Sequence, residues 1–308
     1  MDVEITVVGA GIIGLTTALT LEEQGHAVRI VAAATGVQTT SAVAGAVWFP
    51  YKAGPPEKVA LWAALTRTWL QRLAGDPDTG IDLLTGYEIT QEPGYDHPAP
   101  WWATNIEVTR APAPVTADLV AWKFHAPRVE PARFLPWLTE RVRAHVEYRS
   151  VIDLAAEPGD LVINCTGLGA RELAADDLIY PLLGQIVITE PGDVDLSISV
   201  TDHRNVDAVF YMIPRRDEIV LGGCSLPWPP GAAPEIDPDI TRRILDQARS
   251  LGLAVGKVRT ERVGLRPYRL EVRLEREGRI IHNYGHGGAG FTLSRGCAEE
   301  VARLVTSL

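Results

Sequence analysis

Cysteine is scarce: Cys165, Cys224 and Cys297 are the only three in 308 residues, widely separated and odd in number. They form neither a disulfide framework nor a close-spaced zinc site, and each is expected to be a small buried hydrophobe in a reducing compartment. Positive charge is also in deficit, with 29 Lys and Arg against 39 Asp and Glu and a net charge of -10. With that sign, and no Lys/Arg block interleaved with aromatics, nucleic acid is not an expected partner. Long apolar runs are missing. The stretch from Ile5 to Leu21 is broken by Gly and Thr, and Met1-Asp2-Val3-Glu4 carries acid where an export signal carries base. Neither a membrane span nor export is expected. No internal repeat or low-complexity tail occurs. What is present is a 46% apolar chain, enough to bury a large core in one or two domains.

Residues 3 to 31 read as strand, turn, helix and strand: apolar Val3 to Val8, a Gly-rich 9 to 14, helical Leu15 to Glu23, Gly25 as stop, then Val28 to Val31. That opening predicts an α/β fold with parallel strands. Residues 35 to 58, rich in Thr, Gly and Pro, predict a long irregular segment, which in a compact domain is usually functional. A helix is predicted over Lys58 to Leu73. Edge strands and turns are predicted over 91 to 116, where prolines recur around Trp101 and Trp102. Helical Pro131 to Ala144 leads to a buried-strand run, Asp160 to Cys165, that returns to the first sheet. Strands alternate with turns over 185 to 224, 238 to 251 is helical, and 279 to 308 gives a strand, a Gly-rich turn and a last helix.

Gly9-Ala10-Gly11-Ile12-Ile13-Gly14 follows a predicted strand and opens a predicted helix, the context in which this spacing marks a dinucleotide site. One glycine permits the tight turn, one lets a pyrophosphate approach the backbone, and one lets helix pack on strand. The helix N-terminus offers free N–H groups to the phosphates. The acidic residue expected to hold a ribose hydroxyl is absent, since Ala32, Ala33 and Ala34 follow Val31. The fingerprint alone leaves NAD and FAD open.

Further segments resemble the D-amino-acid oxidase and D-aspartate oxidase family, and that resemblance selects FAD. They are Thr39-Thr40-Ser41-Ala42-Val43-Ala44-Gly45-Ala46-Val47-Trp48-Phe49-Pro50-Tyr51, Val162-Ile163-Asn164-Cys165-Thr166-Gly167 and Gly184-Gln185-Ile186. The most specific are Gly264-Leu265-Arg266-Pro267 with Arg273-Leu274-Glu275-Arg276-Glu277, then Ile281-His282-Asn283-Tyr284-Gly285-His286-Gly287-Gly288 and Gly290-Phe291-Thr292. The resemblance implies an α/β (α+β) fold in which a Rossmann-like FAD-binding domain (1–50, 131–180 and 264–308) interleaves with a mixed or antiparallel-sheet substrate domain (51–130 and 181–263). It implies oxidation of a D-amino acid by hydride transfer to flavin, with oxygen as acceptor and a 2-oxo acid, ammonia and hydrogen peroxide as products. Arg266 would hold the substrate carboxylate in a bidentate fork. Tyr211 would add a phenolic hydrogen bond, and the Gly288 carbonyl would accept from the amine. The cofactor would lie against Gly9 to Gly14, Thr39 to Ser41, Gly45 to Val47, Ile163, Cys165, Thr166, Gly167, Gly184, Arg266, Gly285, Gly287, Gly288 and Gly290 to Thr292. The partial positive charge at the start of the last helix would stabilise a reduced flavin anion.

Taken singly, each of these is bland: an Arg is usually solvated, an isolated Tyr usually fills space, and His286 among glycines reads as a turn residue or cofactor contact rather than a base. Some positions depart from the family. Asp207 stands where animal enzymes carry a second active-site tyrosine, Phe49 where they carry Gln, and Leu183 where Arg is common. Val305-Thr306-Ser307-Leu308 lacks a peroxisomal address, which points to a bacterial cytoplasmic enzyme. Assembly state is left open, a homodimer among the options. D-aspartate oxidation is the nearest alternative, favoured by Arg204 but opposed by Ser225 where acidic-substrate enzymes place an arginine. A catalytically dead flavoprotein and an NAD-linked dehydrogenase are more distant ones.

Overall fold

The computed structural model describes residues 3–90, 98–205 and 208–306; Asp207, part of the proline-bearing 91–116 stretch, and Ser307 and Leu308 lie outside them. In chain order the elements are β1 (Glu4–Ala10), α1 (Ile12–Glu23), β2 (Ala27–Thr35), α2 (Pro56–Leu73), β3 (Ile81–Ile89), β4 (Thr109–Ala113) and β5 (Thr116–Val129). Next come α3 (Pro131–Arg141), β6 (Val146–Tyr148), β7 (Leu161–Asn164), α4 (Ala170–Leu173), β8 (Tyr180–Thr189), β9 (Ile198–Asp202), β10 (Phe210–Pro214), β11 (Ile219–Gly222) and β12 (Leu226–Pro227). The chain closes with α5 (Pro238–Ser250), β13 (Val258–Glu277), β14 (Ile280–His286) and α6 (Gly290–Thr306). Short 3-10 turns cover Gly36–Gln38 and Thr40–Val43 in the irregular segment. The class is mixed α/β. Among the described residues no helix is long and apolar enough to cross a membrane.

Two compact units share the chain. Unit 1 takes Met1–Ile81, Val129–Pro181 and Arg266–Leu308; unit 2 takes Asp82–Arg128 and Leu182–Leu265. The segment 51–130, expected in the substrate domain, is therefore divided. Its helix α2 packs against α6 in unit 1. Gly296 is what lets it do so: a Cβ there would stand 2.3 Å from the Trp62 carbonyl oxygen, and the Gly296 N–H donates to Thr66 Oγ1 at 2.9 Å. The amphipathic face of Lys58 to Leu73 dictates a helix but not the surface it covers, and that is where the sequence reading fails.

In unit 1, β1 runs parallel to β2 on one side and to β7 on the other, and β7 runs parallel to β14. Strands covered on both faces need continuous apolar runs, and Ile5, Val7, Val8 and Leu161 to Ile163 are all buried. Helices α1 and α6 pack on each other, and β14 returns antiparallel along the end of β13, Arg273 opposite Tyr284. Unit 2 orders its strands β4-β5-β3-β9-β10-β11-β8; β4 with β5, β9 with β10, β10 with β11 and β11 with β8 are antiparallel, and β3 with β9 is parallel. Its core joins Val187, Phe210, Met212 and Leu221 to the apolar face of α5, Ile240, Ile244 and Ala248. Asp237 caps that helix through the Asp239 N–H at 2.8 Å.

Candidate active site

Because β14, β7, β1 and β2 are mutually parallel, their carboxyl ends share one edge of unit 1, the edge at which open α/β sheets bind ligands. The turn after β1 is closed by glycine. Gly9 has φ +112°, and a Cβ on it would sit 2.5 Å from the Cys165 carbonyl oxygen; one on Gly14 would sit 1.9 Å from the Gly9 oxygen. Gly11 has no side chain to cap α1. Ser41 Oγ accepts from the Ile12 N–H at 3.0 Å and brings the Thr39–Val47 loop to the turn. That loop is anchored by Trp48, whose indole N–H donates to the Ala63 carbonyl at 2.8 Å, and by the Ala46 carbonyl, which accepts from Val129 at 2.8 Å.

The turn after β14 meets the same loop. The Gly287 N–H donates to the Pro267 carbonyl at 2.9 Å. Its added Cβ would fall 2.1 Å from the Lys52 oxygen, and one on Gly288 would fall 2.6 Å from Tyr51 Cδ1. Thr292 fastens the loop to the start of α6, its hydroxyl donating to the Phe49 carbonyl at 3.0 Å and accepting from the Phe49 N–H at 3.1 Å. The half-buried guanidinium of Arg266 lies 6.0 Å from the Tyr51 ring centre. After β7, Gly167 faces Pro267, 3.8 Å from where its Cβ would be.

Unit 1 thus gathers Gly9 to Gly14, the loop through Ser41, Ile163 to Gly167, Arg266 and Gly285 to Thr292. Gly184 and Tyr211 belong to unit 2. There the Tyr211 ring covers Gly222 and Gly223, where Cβ atoms would come within 2.1 and 2.9 Å of it. Tyr51 was absent from the expected site residues. Its only sequence signal was its place at the end of the quoted Thr39 loop.

Electrostatics separate the ionisable groups by role. His286 is 2% exposed, and burial drops its pKa to about 3, so the ring is neutral; its Nε2 has no partner among the described residues. Burial would raise the Asp176 carboxyl, but hydrogen bonds from the Tyr284 hydroxyl at 2.8 Å and the Leu178 N–H, with the charge of Arg269, hold it below the usual range. Arg269 in turn covers Gly285, where a Cβ would stand 2.8 Å from the Arg269 Cβ. In unit 2, Arg204 is paired with Asp202 through two bonds of 3.0 and 2.8 Å, which raises its pKa.

These features define a class: a dinucleotide-dependent protein whose ligand edge is a parallel sheet rimmed by glycine turns. Residues 4–304 match the family described as FAD dependent oxidoreductase. The chain belongs to that family, and FAD is its cofactor. It is 40% identical to a D-amino-acid oxidase of Rubrobacter xylanophilus, covering 97% of this chain and 94% of that one. It is 38% identical to a D-amino-acid oxidase of Streptomyces coelicolor, with 99% and 97% covered. The crystal structure of glycine oxidase from Bacillus cereus superimposes with a TM-score of 0.79 at 20% identity, over 99% of this chain and 95% of the other, a likeness of fold.

The residues at the edge fit such a cofactor. A helix N-terminus whose cap residue is glycine leaves N–H groups for phosphate, and the buried, unpartnered Nε2 of His286 is a polar atom without a protein partner among the described residues.

Proposed function

We propose that the protein oxidatively deaminates D-amino acids, neutral ones by preference, to 2-oxo acids and ammonia, with oxygen reduced to hydrogen peroxide. The observation that carries this reading is the meeting of Arg266, Tyr51 and the Gly287–Gly288 turn within unit 1, a cation and an exposed glycine, Gly288, joined by one ring. The names of the curated relatives support it. FAD, when bound, supplies the two-electron acceptor. The Gly9–Gly14 turn, the Thr39–Val47 loop, Ile163–Gly167 and Gly285–Thr292 would hold it.

The Arg266 guanidinium holds the substrate carboxylate as a fork. The Gly288 carbonyl accepts from the amine. With carboxylate and amine fixed, the α-hydrogen has one direction, and inversion of the α-carbon turns it away. No side-chain base takes part. His286 is too weak a base and too buried to receive the amine proton, so the substrate enters as the free amine.

The preference for neutral substrates rests on the family resemblance at Arg204 and Ser225. Arg204, the cation that would favour a second carboxylate, is already neutralised by Asp202. Ser225 presents a buried hydroxyl with no partner among the described residues, and a carboxylate without a cation would carry a heavy desolvation cost. A reducing, cytoplasmic setting belongs to the same reading, supported by three free buried cysteines. The test is a peroxide assay on neutral, acidic and basic D-amino acids with L-alanine as control. Turnover of D-alanine above D-aspartate is expected, and comparable rates on L-alanine would sink the assignment.

A further inference from the structure

We infer that His282 is a positioning residue which, through Asn164, fixes the Thr166 hydroxyl as a hydrogen-bond acceptor toward the cofactor. The inference rests on the reading of Thr166 as a cofactor contact. His282 lies on β14 directly opposite Asn164 on β7, and both are buried, at 2% and 0% exposure, so water does not compete for their hydrogen bonds.

The protons along this chain of contacts are assigned by one backbone group. The Thr166 N–H can only donate, and it points at Asn164 Oδ1 at 3.2 Å, which fixes the end of the amide that faces Thr166. Asn164 Nδ2 therefore faces the imidazole, 3.3 Å from His282 Nδ1. An amide nitrogen carries only hydrogens, so Nδ1 must accept and the ring proton must sit on Nε2. Nε2 then donates to Glu277 Oε2 at 3.2 Å. At the other end Asn164 Oδ1 has no hydrogen, so the Thr166 hydroxyl donates to it, at 2.7 Å. The single hydroxyl proton of Thr166 is thereby spent inside the protein. What remains outward is lone pairs, which meet an O–H or N–H of the cofactor and not a phosphate oxygen. Burial and the nearby charge of Arg273 both disfavour the imidazolium form of His282, consistent with the neutral ring this arrangement requires.

The experiment measures FAD dissociation from the purified full chain by equilibrium dialysis. His282→Leu strands the Asn164 amide and should weaken FAD by about tenfold, and Thr166→Val by a similar factor. If the two act through one bond, the double variant should be within about twofold of the weaker-binding single one. His282→Asn, whose Oδ1 can take the place of Nδ1, should restore affinity to within about threefold of the native chain. Multiplicative effects of His282→Leu and Thr166→Val overturn the positioning role while leaving the cofactor site standing. Native affinity in Thr166→Val overturns the reading of Thr166 on which the inference rests. Should His282→Leu not fold, the imidazole ¹⁵N signals of the native holoprotein decide: an unprotonated, pyridine-type Nδ1 is expected, and a protonated Nδ1 overturns the inference.

Discussion

The two glycine turns of unit 1 are similar in sequence, Gly9-Ala10-Gly11 ahead of α1 and Gly285-His286-Gly287-Gly288 ahead of α6, but their glycines answer to different neighbours. The first turn is closed partly by itself, Gly14 riding on the Gly9 carbonyl, and partly by the Cys165 carbonyl just past β7, against Gly9. The second is shaped by a loop distant in sequence, with Lys52 against Gly287 and Tyr51 against Gly288. A glycine motif therefore marks close approach without saying what approaches. At Gly9, Gly14 and Gly287 the neighbour is protein backbone, so these glycines are required before any ligand arrives.

The largest effect should come from the first turn. Gly14→Ala puts a methyl group into the Gly9 carbonyl and should destabilise unit 1 by roughly 4 kcal/mol or more, with loss of FAD, read by thermal unfolding and flavin absorbance. A stable yellow variant would show the turn to be looser than its geometry. At the second turn, Arg266→Ala should leave FAD bound and reduce kcat/KM on the order of a hundredfold, because a desolvated carboxylate loses two charge-assisted bonds. Arg266→Lys should recover only part. Near-normal kinetics in Arg266→Ala would move the carboxylate site elsewhere.

A smaller effect tests the support behind the second turn. Asp176 holds Arg269 over Gly285, and its carboxyl is depressed in the folded state. A depressed carboxyl stabilises the fold above its unfolded pKa, about 3.9 for Asp, and that contribution is lost as pH falls through the folded value. Asp176→Asn should therefore lower stability by about 1–2 kcal/mol at neutral pH, with the difference from the native chain beginning to shrink at about pH 4 and gone once the pH is below the folded value, in urea unfolding. A difference that persists unchanged in acid would mean packing, not charge, is at stake. The smallest effect belongs to Gly290, where an added Cβ meets only Ile12 Cγ2 at 3.5 Å. Gly290→Ala should change stability by no more than about 0.5 kcal/mol in urea unfolding.

The first turn was legible in the sequence because its signature is local: an apolar strand, glycines at fixed spacing and a helix that starts at once. The second was legible only as a resemblance, since Tyr51 and Lys52 reach it through tertiary packing. The unit to which α2 belongs was hidden for the same reason. The fourteen-residue β5 was also missed, although Trp122 to Ala126 alternates apolar and polar side chains, because the prolines just before it obscure the pattern. Hydrogen-bonded pairs such as Asn164 and His282 have no sequence signal at all; they exist because β7 and β14 are paired in a particular register.

Interleaving has a consequence for how the molecule is made. All of unit 2 has been synthesised once Leu265 is joined, whereas unit 1 still waits for the segment from Arg266 onward, including the helix that packs on α1. Although domains generally fold as units with the N-terminal one first, here the unit that contains the N-terminus is the one that must finish last. The nascent FAD fingerprint leaves the ribosome with its partner helix still unmade, and a chain that stalls before α6 leaves the apolar face of α1 open to chaperones and proteases.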